Sequence, residues 1–121
     1  MKEQIQDEEY IAVARAEDLA PGEMLEVDVC GEEVALFNVD GTFYAIGNVC
    51  THAYTHLTEG DFYEDMRREW VVECPLHGST FDVTTGEATT LPATGNAGKY
   101  DVKVVDGELL VGCRPVVQYH D

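Results

Sequence analysis

Positive charge is scarce in this chain. Seven Lys and Arg residues face 24 Asp and Glu, a formal net charge of −17. Nucleic-acid backbones and anionic lipid surfaces repel such a field, so neither is expected as a partner. No apolar run is long enough to span a bilayer, and residues 1–9 (MKEQIQDEE) are acidic without a hydrophobic stretch. Neither a secretory signal nor a twin-arginine signal is therefore read, and no membrane association is expected. The expected location is the cytoplasm, whose reducing poise keeps thiols available as ligands. Enzyme signatures are missing too. There is no G-x-S-x-G, no phosphate-cradling glycine loop, no dinucleotide fingerprint and no Ser–His–Asp pattern, so no catalytic residues are assigned. Internal repeats and low-complexity segments are absent. Helical signal is confined to one turn at residues 16–19, ahead of Pro21-Gly22.

What is present reads as strand. At 121 residues the chain suits one domain with one sizeable core. Leu25, Val27 and Val29 alternate with Glu26, Asp28 and Cys30, the period of a half-buried strand. Gly31-Glu32 is expected to turn this strand into residues 33–39. Asp40-Gly41 then predicts a hairpin into residues 42–46. Residues 70–73 and 81–83 read as short strands. A final hairpin runs over residues 100–105 and 108–111 through Asp106-Gly107. Short strands with frequent turn signals predict an all-β fold, an antiparallel sandwich or barrel.

The chemistry-bearing residues are concentrated. Cys50-Thr51-His52 and Cys74-Pro75-Leu76-His77 form a C-x-H pair and a C-x-x-H pair, 21 residues apart. Each lies beside turn formers, Gly47-Asn48 and Gly78-Ser79. Two thiolates and two imidazoles read as a metal site, with Cys50, His52, Cys74 and His77 as ligands. Structural zinc is one occupant of a Cys2His2 set, but zinc fingers group like with like, whereas this chain pairs unlike with unlike twice. The alternative is a Rieske [2Fe-2S] cluster, in which two histidines replace two cysteines on one iron. Cys50 and Cys74 would then hold one iron, His52 and His77 the other. Neutral imidazoles remove negative charge from that iron, so an added electron is less costly and the potential rises. His56, four residues after His52, is read as a solvent-side loop residue, and His120 as solvated. Cys30 and Cys113 abut apolar strands and are read as small buried apolar side chains.

The strings CTHAYTHLTEG, VVECPLHGSTFDVTTGEAT and KYDVKVVDGELLV resemble the Rieske-type ferredoxins, the small electron carriers of bacterial ring-hydroxylating dioxygenase systems. The likeness runs over roughly residues 10–111, and the two ligand boxes carry its specificity. The resemblance implies a small antiparallel β-sandwich or barrel with an inserted cluster-binding subdomain. That subdomain would span about residues 49–80, on a base domain of about 1–48 and 81–121. It also implies one Rieske [2Fe-2S] cluster and a monomeric electron carrier that is not itself an enzyme. Its partners would be a flavin-dependent NAD(P)H reductase and a terminal non-haem-iron oxygenase. A small redox subunit of a larger enzyme, such as a nitrite reductase, is the alternative within the same fold. A breaker-rich stretch at residues 91–99 is read either as a loop covering the cluster or as a surface connection.

The chain departs from the ferredoxin pattern in two places. The segment between the boxes is longer and more charged, with Glu64, Asp65, Arg67, Arg68 and Glu69. Ser79 follows the second box as in the high-potential Rieske proteins of respiratory complexes, but Phe81 replaces their tyrosine. Thr55 and Leu76 stand where those proteins have a disulfide. Glu59, Asp61, Glu64 and Asp65 are expected to form an acidic rim that steers docking on basic faces of redox partners.

Overall fold

The computed structural model describes residues 9–49, 55–76, 78–90 and 95–116. Among these residues nine strands follow one another: β1 (Tyr10–Arg15), β2 (Met24–Val29), β3 (Glu32–Val39), β4 (Thr42–Gly47), β5 (Asp61–Glu64), β6 (Trp70–Glu73), β7 (Thr80–Asp82), β8 (Lys99–Val105) and β9 (Glu108–Val116). Single 3-10 turns lie at Ala16–Asp18 and Leu57–Glu59. Every strand pairing is antiparallel. Six strands form one sheet in the order β1-β9-β8-β4-β3-β2, and β5-β6-β7 form a second. The large sheet curls until its two ends, β1 and β2, touch without pairing. The fold is thus all-β and antiparallel with a near-closed sheet, in the sandwich-or-barrel class that the turn spacing predicts.

Turn chemistry sets the hairpins. Asp40-Gly41 and Asp106-Gly107 both hold the left-handed backbone, with φ of 52° and 94°, and 52° and 81°. Those are the primed turns whose twist matches paired strands. The β2–β3 turn uses Cys30-Gly31, at φ 53° and 89°, one residue earlier than the sequence suggests. A cysteine in that position gives no ordinary turn signal.

Two cores flank β3. Val34 and Leu36 face the barrel interior with Leu19, Val29, Ala45, Tyr100, Leu109 and Val111. Ala35 and Phe37, on the opposite face, pack under the small sheet with Ile46, Leu57, Val72 and Phe81. Burial on both faces explains why the middle of β3, Val34 to Phe37, is an unbroken apolar run. Asn38 is itself buried and satisfied: its Nδ2 donates to the Leu19 carbonyl (2.7 Å) and its Oδ1 accepts from Gly41 N–H (2.7 Å). Phe62 joins the layers, 4.9 Å from the ring of Phe37 and 5.1 Å from that of Trp70.

One expectation is overturned. Cys30 and Cys113 are not buried apolar fillers but a disulfide, with Cα atoms 5.5 Å apart across 83 residues of sequence. Cys30 is exposed and Cys113 half-buried. Curling of the large sheet brings the β2–β3 turn beside β9, where the bond crosses the unpaired seam. No local pattern announces a contact of that sequence separation.

Candidate metal centre

Strand β6 delivers Cys74 into the core beneath the small sheet. Its side chain is 1% exposed and belongs to the apolar group with Leu57, Val72 and Phe81. The turn beyond it is tight. Cys74 N–H donates to the Ser79 carbonyl (2.7 Å), and Gly78 N–H donates to the Cys74 carbonyl (3.1 Å). Gly78 takes φ 76°, a conformation that costs glycine little. Pro75 and Leu76 stand exposed at the tip, while Ser79 is fully buried. Behind the turn, Thr80 N–H donates to Thr90 Oγ1 (2.9 Å) and Thr89 N–H to the Thr80 carbonyl (2.7 Å). These bonds fasten residues 89–90 to the second box. Of the breaker-rich stretch, residues 91–94 lie outside the described residues. Its remainder packs on the large sheet, with Gly47 N–H donating to the Gly98 carbonyl (2.8 Å).

Cys50, His52 and His77 lie outside the described residues, and so does His120. The flanks of the first box are described, and they are clamped. Val49 and His56 form an antiparallel bridge. Asn48, fully buried, ties the two ends together. Its carbonyl accepts from Leu57 N–H (2.6 Å), its Oδ1 from Thr58 N–H (2.9 Å), and its Nδ2 donates to Thr58 Oγ1 (3.1 Å). Its own N–H donates to the Glu33 carbonyl (2.9 Å), which anchors the clamp to β3. The sequence marked Asn48 only as a turn former. Thr55, the first described residue after the box, brings its Oγ1 to 3.2 Å from Cys74 Sγ. Residues flanking the two boxes thus meet at a buried sulfur.

His56 is not simply a solvent-side residue. Its Nε2 lies 2.7 Å from a Glu33 carboxylate oxygen and 4.0 Å from Glu26, and its Nδ1 lies 3.8 Å from Glu59. The hydrogen bond to Glu33 raises its pKa above 6.5. Desolvation opposes that rise, and the charges of Glu33, Glu26 and Glu59 add to it. On the neighbouring hairpin, Tyr63 donates to Glu73 (2.7 Å), and that bond, with burial and nearby carboxylates, pushes the phenol to about 12. The charged insertion between the boxes is the β5–β6 hairpin. Asp65 Oδ1 accepts from Arg67 N–H (2.8 Å) and Glu69 N–H (2.9 Å), so it shapes the turn; Glu59, Asp61 and Glu64 are exposed.

The setting of Cys74, the one candidate ligand among the described residues, suits a metal–sulfur centre. A cysteine in an apolar wall, without a metal, is an inert thiol. Here a hydroxyl is placed on that sulfur, and backbone bonds pre-shape the turn around it. Among the described residues, Cys74 is the one cysteine outside the disulfide. No helix among them is long and apolar enough to cross a membrane.

Comparison with known proteins agrees with this chemistry. The chain is 37% identical over 102 residues to the ferredoxin component of the naphthalene 1,2-dioxygenase system of Pseudomonas putida, covering 84% of this chain and 93% of that protein. It superposes on the ferredoxin of carbazole 1,9a-dioxygenase from Nocardioides aromaticivorans IC177 with a TM-score of 0.80 and 38% identity, over 87% of this chain and 98% of that one. A second structure, a complex of reduced oxygenase and oxidised ferredoxin in carbazole 1,9a-dioxygenase, matches with a TM-score of 0.81 and 34% identity, over 90% of this chain and 97% of that one. The model of the Rieske [2Fe-2S] domain matches residues 9–109. The chain belongs to the Rieske [2Fe-2S] domain family, whose domain carries one Rieske-type [2Fe-2S] cluster.

Proposed function

We propose that this protein is a one-electron carrier of the Rieske ferredoxin kind. It would be reduced by a flavin-containing NAD(P)H-dependent reductase and oxidised by a terminal non-haem-iron oxygenase. Cys50 and Cys74 would hold one iron of the cluster and His52 and His77 the other. When bound, the cluster supplies a site that gains and loses a single electron at a potential raised by its imidazole ligands. The chain's own residues do the rest. The Asn48 clamp and the Cys74–Ser79 turn hold the boxes, and the core under the small sheet keeps water from the thiolate side. The observation that carries the reading is the meeting of the two box regions at a buried cysteine, Thr55 Oγ1 to Cys74 Sγ. Relatives named as ferredoxin components, and a ferredoxin matched in complex with its oxygenase, support the partner class.

Leu76 and Val49, each next to a proposed ligand, are exposed and would give the partner an apolar contact. Glu59, Asp61 and Glu64 would supply the surrounding charge, and the carrier would work as a monomer. The test is a reductive titration followed by stopped-flow mixing with the oxidised oxygenase of a ring-hydroxylating dioxygenase. One electron should be taken up per chain, and mixing should restore the oxidised visible spectrum. A protein that takes up no electron, or one that purifies with zinc in place of iron and sulfide, contradicts the proposal.

A further inference from the structure

Cys74 directly follows β6, and Thr55 lies in the segment that leaves the first box. They are 19 residues apart in sequence, yet the hydroxyl oxygen sits 3.2 Å from the sulfur in a part-buried setting. This approach is built, not incidental. The residue after Thr55 pairs with Val49, and the next two are bonded to Asn48, so the backbone carrying the hydroxyl has little freedom. The sulfur is equally fixed, at 1% exposure, by the turn bonds to Ser79 and Gly78.

Either atom can donate while Cys74 is a thiol. A cysteine that ligates iron is a thiolate and can only accept, so the hydroxyl must then be the donor. A donor on a thiolate withdraws negative charge from the metal side and favours the state carrying the extra electron. We propose that Thr55 is a positioning residue that latches the first box onto the second through a hydrogen bond from its hydroxyl to the Cys74 sulfur, and that this bond raises the reduction potential. The proposal rests on Cys74 being a cluster ligand. It involves no proton transfer; the hydroxyl keeps its hydrogen in both oxidation states.

The experiment uses the full-length, cluster-loaded protein and the variants Thr55→Val and Thr55→Ser. Valine keeps the shape and removes the donor; serine keeps the donor. Iron and sulfide content of the wild type is measured first, so absence of a cluster there counts against the functional reading and not against this bond. Thr55→Val should shift the one-electron equilibrium toward the oxidised form by roughly tenfold, about 59 mV for a one-electron couple. The iron–sulfur stretching bands in its resonance Raman spectrum should move as the sulfur loses its donor. Thr55→Ser should restore both. A wild-type potential in Thr55→Val overturns the proposal. If Thr55→Val fails to hold its cluster, Thr55→Ser decides: a wild-type potential with Raman bands that shift in D2O supports the bond, and bands that do not respond overturn it.

Discussion

Removing the Cys30–Cys113 disulfide should cost this protein much of its stability while leaving its cluster intact. The bond closes a loop across 83 residues, and loop-closure entropy for that length amounts to about 4.5 kcal/mol at 25 °C. Unfolding entropy of about 2.1 cal/mol/K per residue, over 121 residues, converts each kcal/mol into about 4 °C. The double variant Cys30→Ser, Cys113→Ser should therefore melt at a temperature lower by as much as about 18 °C, or by about 9 °C if unfolded-state structure halves the effect. The position adds to the expectation, because the bond spans the seam where β1 and β2 touch without pairing. The assay is far-ultraviolet circular dichroism at a fixed scan rate, because unfolding that releases a cluster is irreversible. The visible spectrum checks in parallel that iron and sulfide remain. A double variant melting within about 2 °C of the wild type would refute the loop-closure argument. So would titration of two additional thiols in the denatured, unreduced wild type.

Other perturbations should act more locally. His56→Ala should keep the full visible spectrum, since His56 is held by Glu33 and is not one of the proposed ligands. Because its folded pKa is raised, its stabilising contribution is complete below pH 6.5 and disappears as pH rises through the folded value. Denaturant melts of the two proteins should differ at pH 5.5 and converge at alkaline pH; a gap that widens with pH would contradict the ion-pair account. Gly60→Ala should destabilise the small sheet by about 1–3 kcal/mol, since an added Cβ would run into the Glu73 carbonyl and crowd Pro75. Denaturant melts measure the loss, and an unchanged midpoint would mean that the backbones part freely. Glu64→Gln should slow association with the oxygenase at low salt while leaving maximal turnover unchanged, because Glu64 is exposed whereas Asp65 is committed to its turn. Rates that ignore ionic strength would reduce the acidic rim to a solubility feature.

The hairpins at Asp40-Gly41 and Asp106-Gly107 were legible because their chemistry is local: two residues decide the turn. Strand β6 was legible as a short apolar run ahead of the second box. Strand β1 was not read, because Tyr10–Arg15 alternates weakly and gains its identity by pairing with β9. Strand β5 was hidden for a similar reason. Its acidic residues mask Phe62, whose role appears only when Phe37 and Trp70 close around it. The disulfide, the Asn48 clamp and the Thr55–Cys74 contact share one cause of invisibility. Each is fixed by tertiary geometry between segments that carry no signal for one another. The candidate ligands stand out because metal binding demands residue types at spacings that chance rarely supplies, and of the four only Cys74 lies among the described residues.

Electron paramagnetic resonance of the dithionite-reduced protein, prepared with and without 15N-labelled histidine, tests the central claim most directly. A histidine-ligated [2Fe-2S] cluster predicts one unpaired electron per two irons, a rhombic signal, and hyperfine couplings from two histidine nitrogens that change on labelling. His77→Ala should abolish that signal, and His56→Ala should leave it intact. A silent spectrum in a zinc-bearing protein, or a signal without histidine couplings, would contradict the account.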